Sequence, residues 1–135
     1  GKGLRLAIDE ALAGAGREAE AICFINAHGT GTTDNDRVES RVLADLFPGR
    51  PFVSTKGYTG HTLGAAGPIE AALTLGCLNQ GRLPATAGFE NPDPQLPANP
   101  VSAPTTLQGK IALSQNLAFG GSNAVLVIGS KRWQP

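Results

Sequence analysis

The chain contains no methionine, two histidines, two cysteines, one tryptophan and one tyrosine in 135 residues. Two cysteines, Cys23 and Cys77, both in apolar surroundings, are too few for a disulfide scaffold. They fit core positions in a reduced, cytoplasmic protein. No apolar run reaches the roughly eighteen residues of a membrane span, and no signal peptide is recognisable. A charge excess is missing as well: eleven basic residues face eleven acidic ones. A general nucleic-acid or membrane-surface binder would carry a basic surplus. Position 1 is not methionine and the helical pattern starts at once, so a fragment or a processed chain is expected. What is plentiful is glycine, 18, and proline, 10. Apolar runs survive between them, which marks tight turns rather than disorder. The length suits one domain that buries roughly two thirds of its unfolded surface. No period of about 20 to 50 residues marks a repeat array.

Apolar spacing organises the chain. Leu4, Ala7, Ile8, Ala11 and Leu12 share one helical face, with Arg5 and Asp9 spaced to pair on the other, and Gly14 to Gly16 end the helix. Residues 21–26 read as a buried strand. From Asp34 the pattern Val38, Val42, Leu43, Leu46, Phe47 is helical, with Asp34 or Asp36 as N-cap. Residues 51–54 form a second short strand. Residues 62–79 read as a helix whose first turns are small, Gly64 to Gly67, with Ile69, Ala72, Leu73, Gly76 and Cys77 as its apolar face. Six prolines from Pro84 to Pro104 mark a long surface loop. Strands at 110–116 and 124–130 follow, the second apolar on both faces, as in the middle of a layered sandwich.

Both histidines close the same kind of unit: apolar strand, Gly-rich turn, His, helix. His28 stands in Asn26-Ala27-His28-Gly29-Thr30-Gly31-Thr32, and His61 ends Ser54-Thr55-Lys56-Gly57-Tyr58-Thr59-Gly60-His61. In α/β sheets, ligands gather at such strand ends. Each His has a plain reading as a hydrogen-bonded strand cap. Together they read as two N–H donors for one developing oxyanion. Two ligands without a third fall short of a zinc site. The Gly-Thr-Gly-Thr stretch is a turn, or a set of N–H and hydroxyl groups for a polar ligand, without the frame of a phosphate loop. Glu70, in a small apolar helical stretch, either faces solvent or pairs with Lys56. Phe119, in a Gly-rich hairpin, is a packing anchor or a mobile gate. Neither cysteine sits where a thiolate would be stabilised, so no nucleophile is evident.

These blocks, followed in order by Phe119-Gly120-Gly121-Ser122-Asn123, resemble the β-ketoacyl-acyl carrier protein synthases, condensing enzymes of the thiolase superfamily. The resemblance implies an α/β fold, one half of a thiolase-like layered αβαβα architecture. It is a mixed sheet with a C-terminal antiparallel hairpin. Residues 1–135 would form the C-terminal half-domain. The N-terminal half, which carries the Cys nucleophile of a Cys-His-His site, lies outside this sequence, as does the first strand of the C-terminal repeat. It implies that His28 and His61 promote decarboxylation of malonyl-carrier protein and stabilise the enolate, in a decarboxylative Claisen condensation with an acyl thioester. The resemblance also implies that Lys56 and Glu70 support His61, that Thr30 and Thr32 bind the phosphopantetheine arm, and that Phe119 gates the site and joins the oxyanion hole. No cofactor is implied beyond that arm, which belongs to the substrate. The implied partners are acyl carrier protein, the missing half, and a homo- or heterodimer mate. Leu117-Ala118 stands where the family usually has Phe-Gly, and Ala tolerates positive φ poorly, so the gate loop is expected to move differently. Two other readings are a non-catalytic, chain-length-type partner and a thiolase acting on coenzyme A esters. The paired histidines and the Lys56 block favour the carrier-protein synthase.

Overall fold

A computed structural model describes residues 1–131. In chain order the elements are α1 (Lys2–Ala15), β1 (Phe24–Asn26), α2 (Thr33–Leu46), β2 (Phe52–Val53), α3 (Lys56–Thr59), α4 (Ala66–Gln80), β3 (Arg82–Leu83), β4 (Thr105–Thr106), β5 (Ile111–Leu117) and β6 (Asn123–Gly129). The main sheet has the order β2-β1-β5-β6. β1 runs parallel to both β2 and β5, and β5 and β6 form an antiparallel hairpin. The mixed sheet with its terminal hairpin is therefore present. The Pro-rich stretch is a loop except for the short β3–β4 pairing.

Side-chain alternation along the strands divides the core into two layers. Ile25 and Leu113 face α1 and α2, packing with Leu4, Ile8, Leu12, Val42, Leu43 and Phe47. Phe24 and Ala112 face the other way, toward Leu78 of α4 and toward Leu83 and Leu107. Helices thus cover both faces, because each strand carries apolar residues on both.

Several local expectations change. α1 runs through Gly14 and ends at Ala15, inside the Gly14–Gly16 stretch expected to stop it. Gly16 takes the left-handed conformation (φ 59°) that lets the N–H groups of Gly16 and Arg17 bond back to Ala13 and Leu12. Arg5 pairs with Asp45 of α2 rather than with Asp9. That links two helices, although a pair this exposed contributes at most about 1 kcal/mol. The N-cap of α2 is Thr32, not Asp34 or Asp36, which lie in the first turn where their charge suits the helix dipole. The first strand is only Phe24–Asn26, preceded by a tight turn at Ala19–Ala21. The small-residue helix begins as a tight 3₁₀ turn, Leu63–Ala65, and becomes α-helical at Ala66.

Two corrections matter for function. The face of α4 that meets the sheet is Ala66, Glu70, Thr74 and Leu78, not the Ile69-Leu73-Cys77 face. Leu73 and Leu75 are 38% and 40% exposed. The strand β6, expected in mid-sandwich, is the outer strand here, and Leu126 is 50% exposed. Its apolar residues Val125 and Val127 pack toward α1, and Ile128 toward α4.

Candidate active site

The three parallel strands deliver the site. β1 ends at Asn26 and leads to His28, β2 leads through Ser54-Thr55 to Lys56, and β5 leads to the turn holding Phe119. All three therefore end at one edge of the sheet. Asn26, buried, ties the first two together. Its amide donates to Thr55 Oγ1 (3.2 Å), Thr74 Oγ1 (3.1 Å) and the Glu70 carbonyl (3.2 Å), and its carbonyl accepts the Thr55 N–H (3.3 Å).

His28 and His61 come together. Their ring centroids lie 5.5 Å apart with the planes nearly perpendicular. The settings differ: His28 is buried and His61 is exposed. His61 Nδ1 accepts the N–H of Leu63 at 3.2 Å, which puts the proton of a neutral ring on Nε2. Leu63 achieves this with a positive φ of 52°, a conformation that costs a non-glycine residue about 1–2 kcal/mol. Burial lowers the His28 pKa, the Lys56 charge lowers it further, and Glu70 opposes both. Lys56 and Glu70 form a buried ion pair at 2.5 Å, so Glu70 does not face solvent.

The threonines stand on the rim. Thr30 and Thr32 hydroxyls are 3.0 Å from each other. Phe119 is fully exposed at the turn between β5 and β6, and packs as no anchor. The feared strain at Ala118 is absent: it is extended (φ −130°), and the positive φ values fall on Gly120 and Gly121. Cys23 is buried; Cys77 is only half-buried, and burial pushes its thiol up. Among the described residues no three His, Cys, Asp or Glu side chains gather as a metal site, and no helix is long and apolar enough to cross a membrane.

The sequence profile described as "Beta-ketoacyl synthase, C-terminal domain" matches residues 1–90. The chain belongs to this family. The synthase domain is 37% identical over 138 aligned residues to the mitochondrial 3-oxoacyl-[acyl-carrier-protein] synthase of Arabidopsis thaliana, covering 96% of this chain and 30% of that protein. Among solved structures, it matches a ketosynthase (ApeO) in complex with its chain length factor (ApeC) from Xenorhabdus doucetiae. That match has a TM-score of 0.87 and 42% identity, and covers 93% of this chain and 32% of that one. A β-ketoacyl synthase from Burkholderia phymatum matches with a TM-score of 0.88 and 34% identity, covering 96% of this chain and 32% of that one. These establish the thiolase-like ketosynthase fold. The synthase domain spans about a third of the length of the relatives it matches.

A cavity of about 600 Å³ opens beside the site of the synthase domain, between the Thr30 turn, the first turn of α2 and the Pro-rich loop. Thr30, Lys56 and His61 line it; Phe119 does not. The loop is held there by contacts to the Lys56 turn. Tyr58 donates its hydroxyl proton to the Ala85 carbonyl at 2.6 Å, and Gly57 lies so close that a Cβ would stand 2.2 Å from the Ala87 oxygen. Gly57→Ala is expected to lower stability by about 1–3 kcal/mol. It should also expose residues 84–104 to protease, measured by urea unfolding and limited proteolysis.

Three residues without a role in the sequence reading belong to this site. Besides Asn26 they are Glu39 and Gln115, both buried. The signal was there. Glu39 lies three and four residues before Val42 and Leu43, hence on the buried stripe of α2, and Gln115 alternates with Leu113.

Proposed function

We propose that the chain is the C-terminal half-domain of a β-ketoacyl-acyl carrier protein synthase and supplies the two histidines of a Cys-His-His site. The observation that carries this reading is the pair of imidazoles 5.5 Å apart, with His61 Nδ1 occupied by the Leu63 N–H so that Nε2 is left to face a substrate. Loss of carbon dioxide from a malonyl thioester leaves an enolate whose oxygen carries negative charge. Neutral His28 and His61 stabilise that oxygen by N–H donation. The carbanion then attacks the acyl thioester on the nucleophile's sulfur and expels the thiolate. The product is two carbons longer than the acyl group. Lys56, paired with Glu70, keeps His28 neutral and holds the β2–α3 turn that presents His61. Thr30 and Thr32 bind the pantetheine arm beside the cavity, and Phe119 gates entry. The reaction takes no cofactor beyond that arm.

The same reading assigns the partners. The turn before α4, the outer face of α4 and the outer strand β6 leave Leu63, Leu73, Leu75 and Leu126 exposed, and a nucleophile-bearing half would cover them. The matched relatives are about three times as long as this chain. One is a ketosynthase in complex with its chain length factor, and another is a type II acyl-carrier protein in complex with its ketosynthase. A carrier protein and a homo- or heterodimeric mate are the partners of this synthase, in the cytoplasm.

The test is condensation by this chain assembled with the nucleophile-bearing half. With isotope-labelled malonyl-carrier protein and an acyl donor, mass spectrometry should find a β-ketoacyl-carrier protein two carbons longer, with one carbon dioxide released per product. A stable assembly that binds acyl-carrier protein but gives neither would establish the non-catalytic, chain-length-type role instead.

A further inference from the structure

We infer that Tyr58 and Gly57 clasp the Pro-rich loop onto the turn that carries His61, and that the wall so formed makes the site select malonyl over 2-methylmalonyl thioesters. The inference rests on the condensing-enzyme reading of His61 and names the class of malonyl thioester that reading leaves open.

The wall is a tight turn, Thr86-Ala87-Gly88-Phe89. The Phe89 N–H donates to the Thr86 carbonyl at 3.2 Å, and Gly88 has φ 81°. A positive φ at the third position marks a type II turn, and glycine takes it without strain. The root of the turn is sewn to the sheet. The Thr86 N–H donates to the Val101 carbonyl at 2.8 Å, and the Val101 N–H donates to the Phe52 carbonyl of β2 at 2.9 Å. Residues 86–89 therefore stand at a fixed place beside β2. All four line the cavity that Lys56 and His61 also line.

The clasp is made from the other side. α3 carries Lys56, Gly57 and Tyr58, and leads through Gly60 to His61. The Tyr58 hydroxyl bonds the carbonyl of Ala85, the residue just before the turn. The Ala87 carbonyl lies directly over Gly57: a Cβ there would stand 2.2 Å from its oxygen and 3.0 Å from its carbon. Gly57 is helical and has no positive φ, so its backbone would admit any residue. Only the approach of Ala87 requires glycine. Tyr58 is 57% exposed, so its ring adds little burial, and what it brings is the hydroxyl. Neither residue fills the core. Together they press the wall onto the turn that presents His61.

The consequence concerns the reacting carbon. In the proposed reaction the enolate oxygen lies at His61, and the carbon that has lost carbon dioxide is bonded to the carbon bearing that oxygen. A methyl group on it therefore enters the cavity that the Phe89 turn bounds. A wall held by hydrogen bonds at its root and a close backbone contact at its tip yields little to such a group. Each thioester loses one carbon dioxide and gains one acyl group, so the methylated one would leave a 2-methyl-β-ketoacyl product. Discrimination of one such carbon by an apolar surface is worth about 10–200-fold in kcat/KM.

The test offers malonyl- and 2-methylmalonyl-carrier protein together to the assembled enzyme, with one acyl donor. Both groups ride on the same carrier, so docking cancels. Mass spectrometry counts the β-ketoacyl product and its 2-methyl counterpart. The unsubstituted enzyme should favour malonyl by about 10–200-fold. Tyr58→Phe frees the Ala85 carbonyl and should lower that ratio about threefold to fivefold, as for one lost hydrogen bond. Phe89→Ala removes the side chain of the wall and should bring the ratio within about threefold of unity. If Phe89→Ala does not fold, Tyr58→Phe decides alone. A second readout needs no turnover: amide hydrogen exchange in the assembled enzyme, where Tyr58→Phe should speed exchange at Thr86 and Phe89. An unsubstituted enzyme that takes both thioesters equally overturns the inference. So does a Tyr58→Phe enzyme that slows both alike and keeps the ratio, since that is a structural effect only. Unchanged exchange in Tyr58→Phe overturns the clasp. An unsubstituted enzyme that forms neither product overturns the condensing-enzyme reading, and the exchange rates still decide whether Tyr58 holds the wall.

Discussion

His61→Ala in the assembled enzyme should slow carbon dioxide release from malonyl-carrier protein by about 10²–10³-fold, the usual loss when one of two oxyanion donors is removed. The side chain is exposed, and among the described residues its ring accepts a hydrogen bond from the Leu63 N–H at its own turn, so folding should not change. Acyl transfer onto the nucleophile, a step in which the proposal gives His61 no part, should continue. The measurement is labelled carbon dioxide release in parallel with acyl loading of the enzyme. Release at the parent rate would remove His61 from the mechanism. Loss of both steps together would make it a structural residue.

Breaking the buried ion pair should have the largest effect on stability. Lys56→Met leaves the Glu70 carboxylate buried without its cation, at a cost of about 3–5 kcal/mol. Among the described residues Glu70 Oε2 already lacks a hydrogen-bond partner. Adding Glu70→Leu should restore most of the loss, because an apolar pair of similar volume in such a site is often neutral or better. Activity should not return with it. Urea unfolding of the two variants beside their decarboxylation rates separates these outcomes. Equal stability of both would show that the pair is not energetically buried.

The same substitution moves a titration. The His28 pKa is lowered first by burial, then by Lys56, and raised by Glu70. Removing Lys56 should therefore raise it, and the acid limb of decarboxylation due to His28 should shift to higher pH. Glu70→Leu should shift that limb to lower pH. For stability the sign follows from proton counting. The folded pKa lies below the unfolded one, near the ordinary value of about 6.5. Between the two values the unfolded chain binds more protons, so the His28 contribution is present above about pH 6.5 and is lost as pH falls toward the folded pKa.

Periodicity recovered the elements and misjudged which groups face inward. The stripe of α1 read directly, since Leu4, Ile8 and Leu12 are buried against apolar partners. On α4 the reading went to the apolar side, yet the sheet-facing residues include Glu70 and Thr74. They are inside because Lys56 and Asn26 pair with them, and a count of hydrophobic residues along one helix does not contain those partners. Glu39 and Gln115 escaped for the same reason: they bond to each other across 76 positions. The Lys56–Glu70 pair was one of two readings open in the sequence, because a lone charge in an apolar stretch takes either a counter-charge or solvent. The histidine turns were legible as turns because glycine and threonine after a short apolar run mark a strand end. Arg5 chose Asp45 over Asp9 because α2 packs alongside, a neighbour that spacing within α1 does not describe.

The strand directions have a practical corollary for anyone rebuilding this domain. Because β1, β2 and β5 are parallel, the loops feeding them, at Arg17–Glu18, Gly49–Arg50 and Gly109–Lys110, all sit at the sheet edge away from the histidines. Most of these residues are exposed. Affinity tags, fluorophores, split points and circular permutation are best placed there, where exposed connections tolerate insertion. The Gly109–Lys110 loop is the least forgiving, since a Cβ on Gly109 would come 2.8 Å from that of Cys23. The two earlier loops are therefore the handles by which the domain can be held, reported on or cut while its chemistry is left alone.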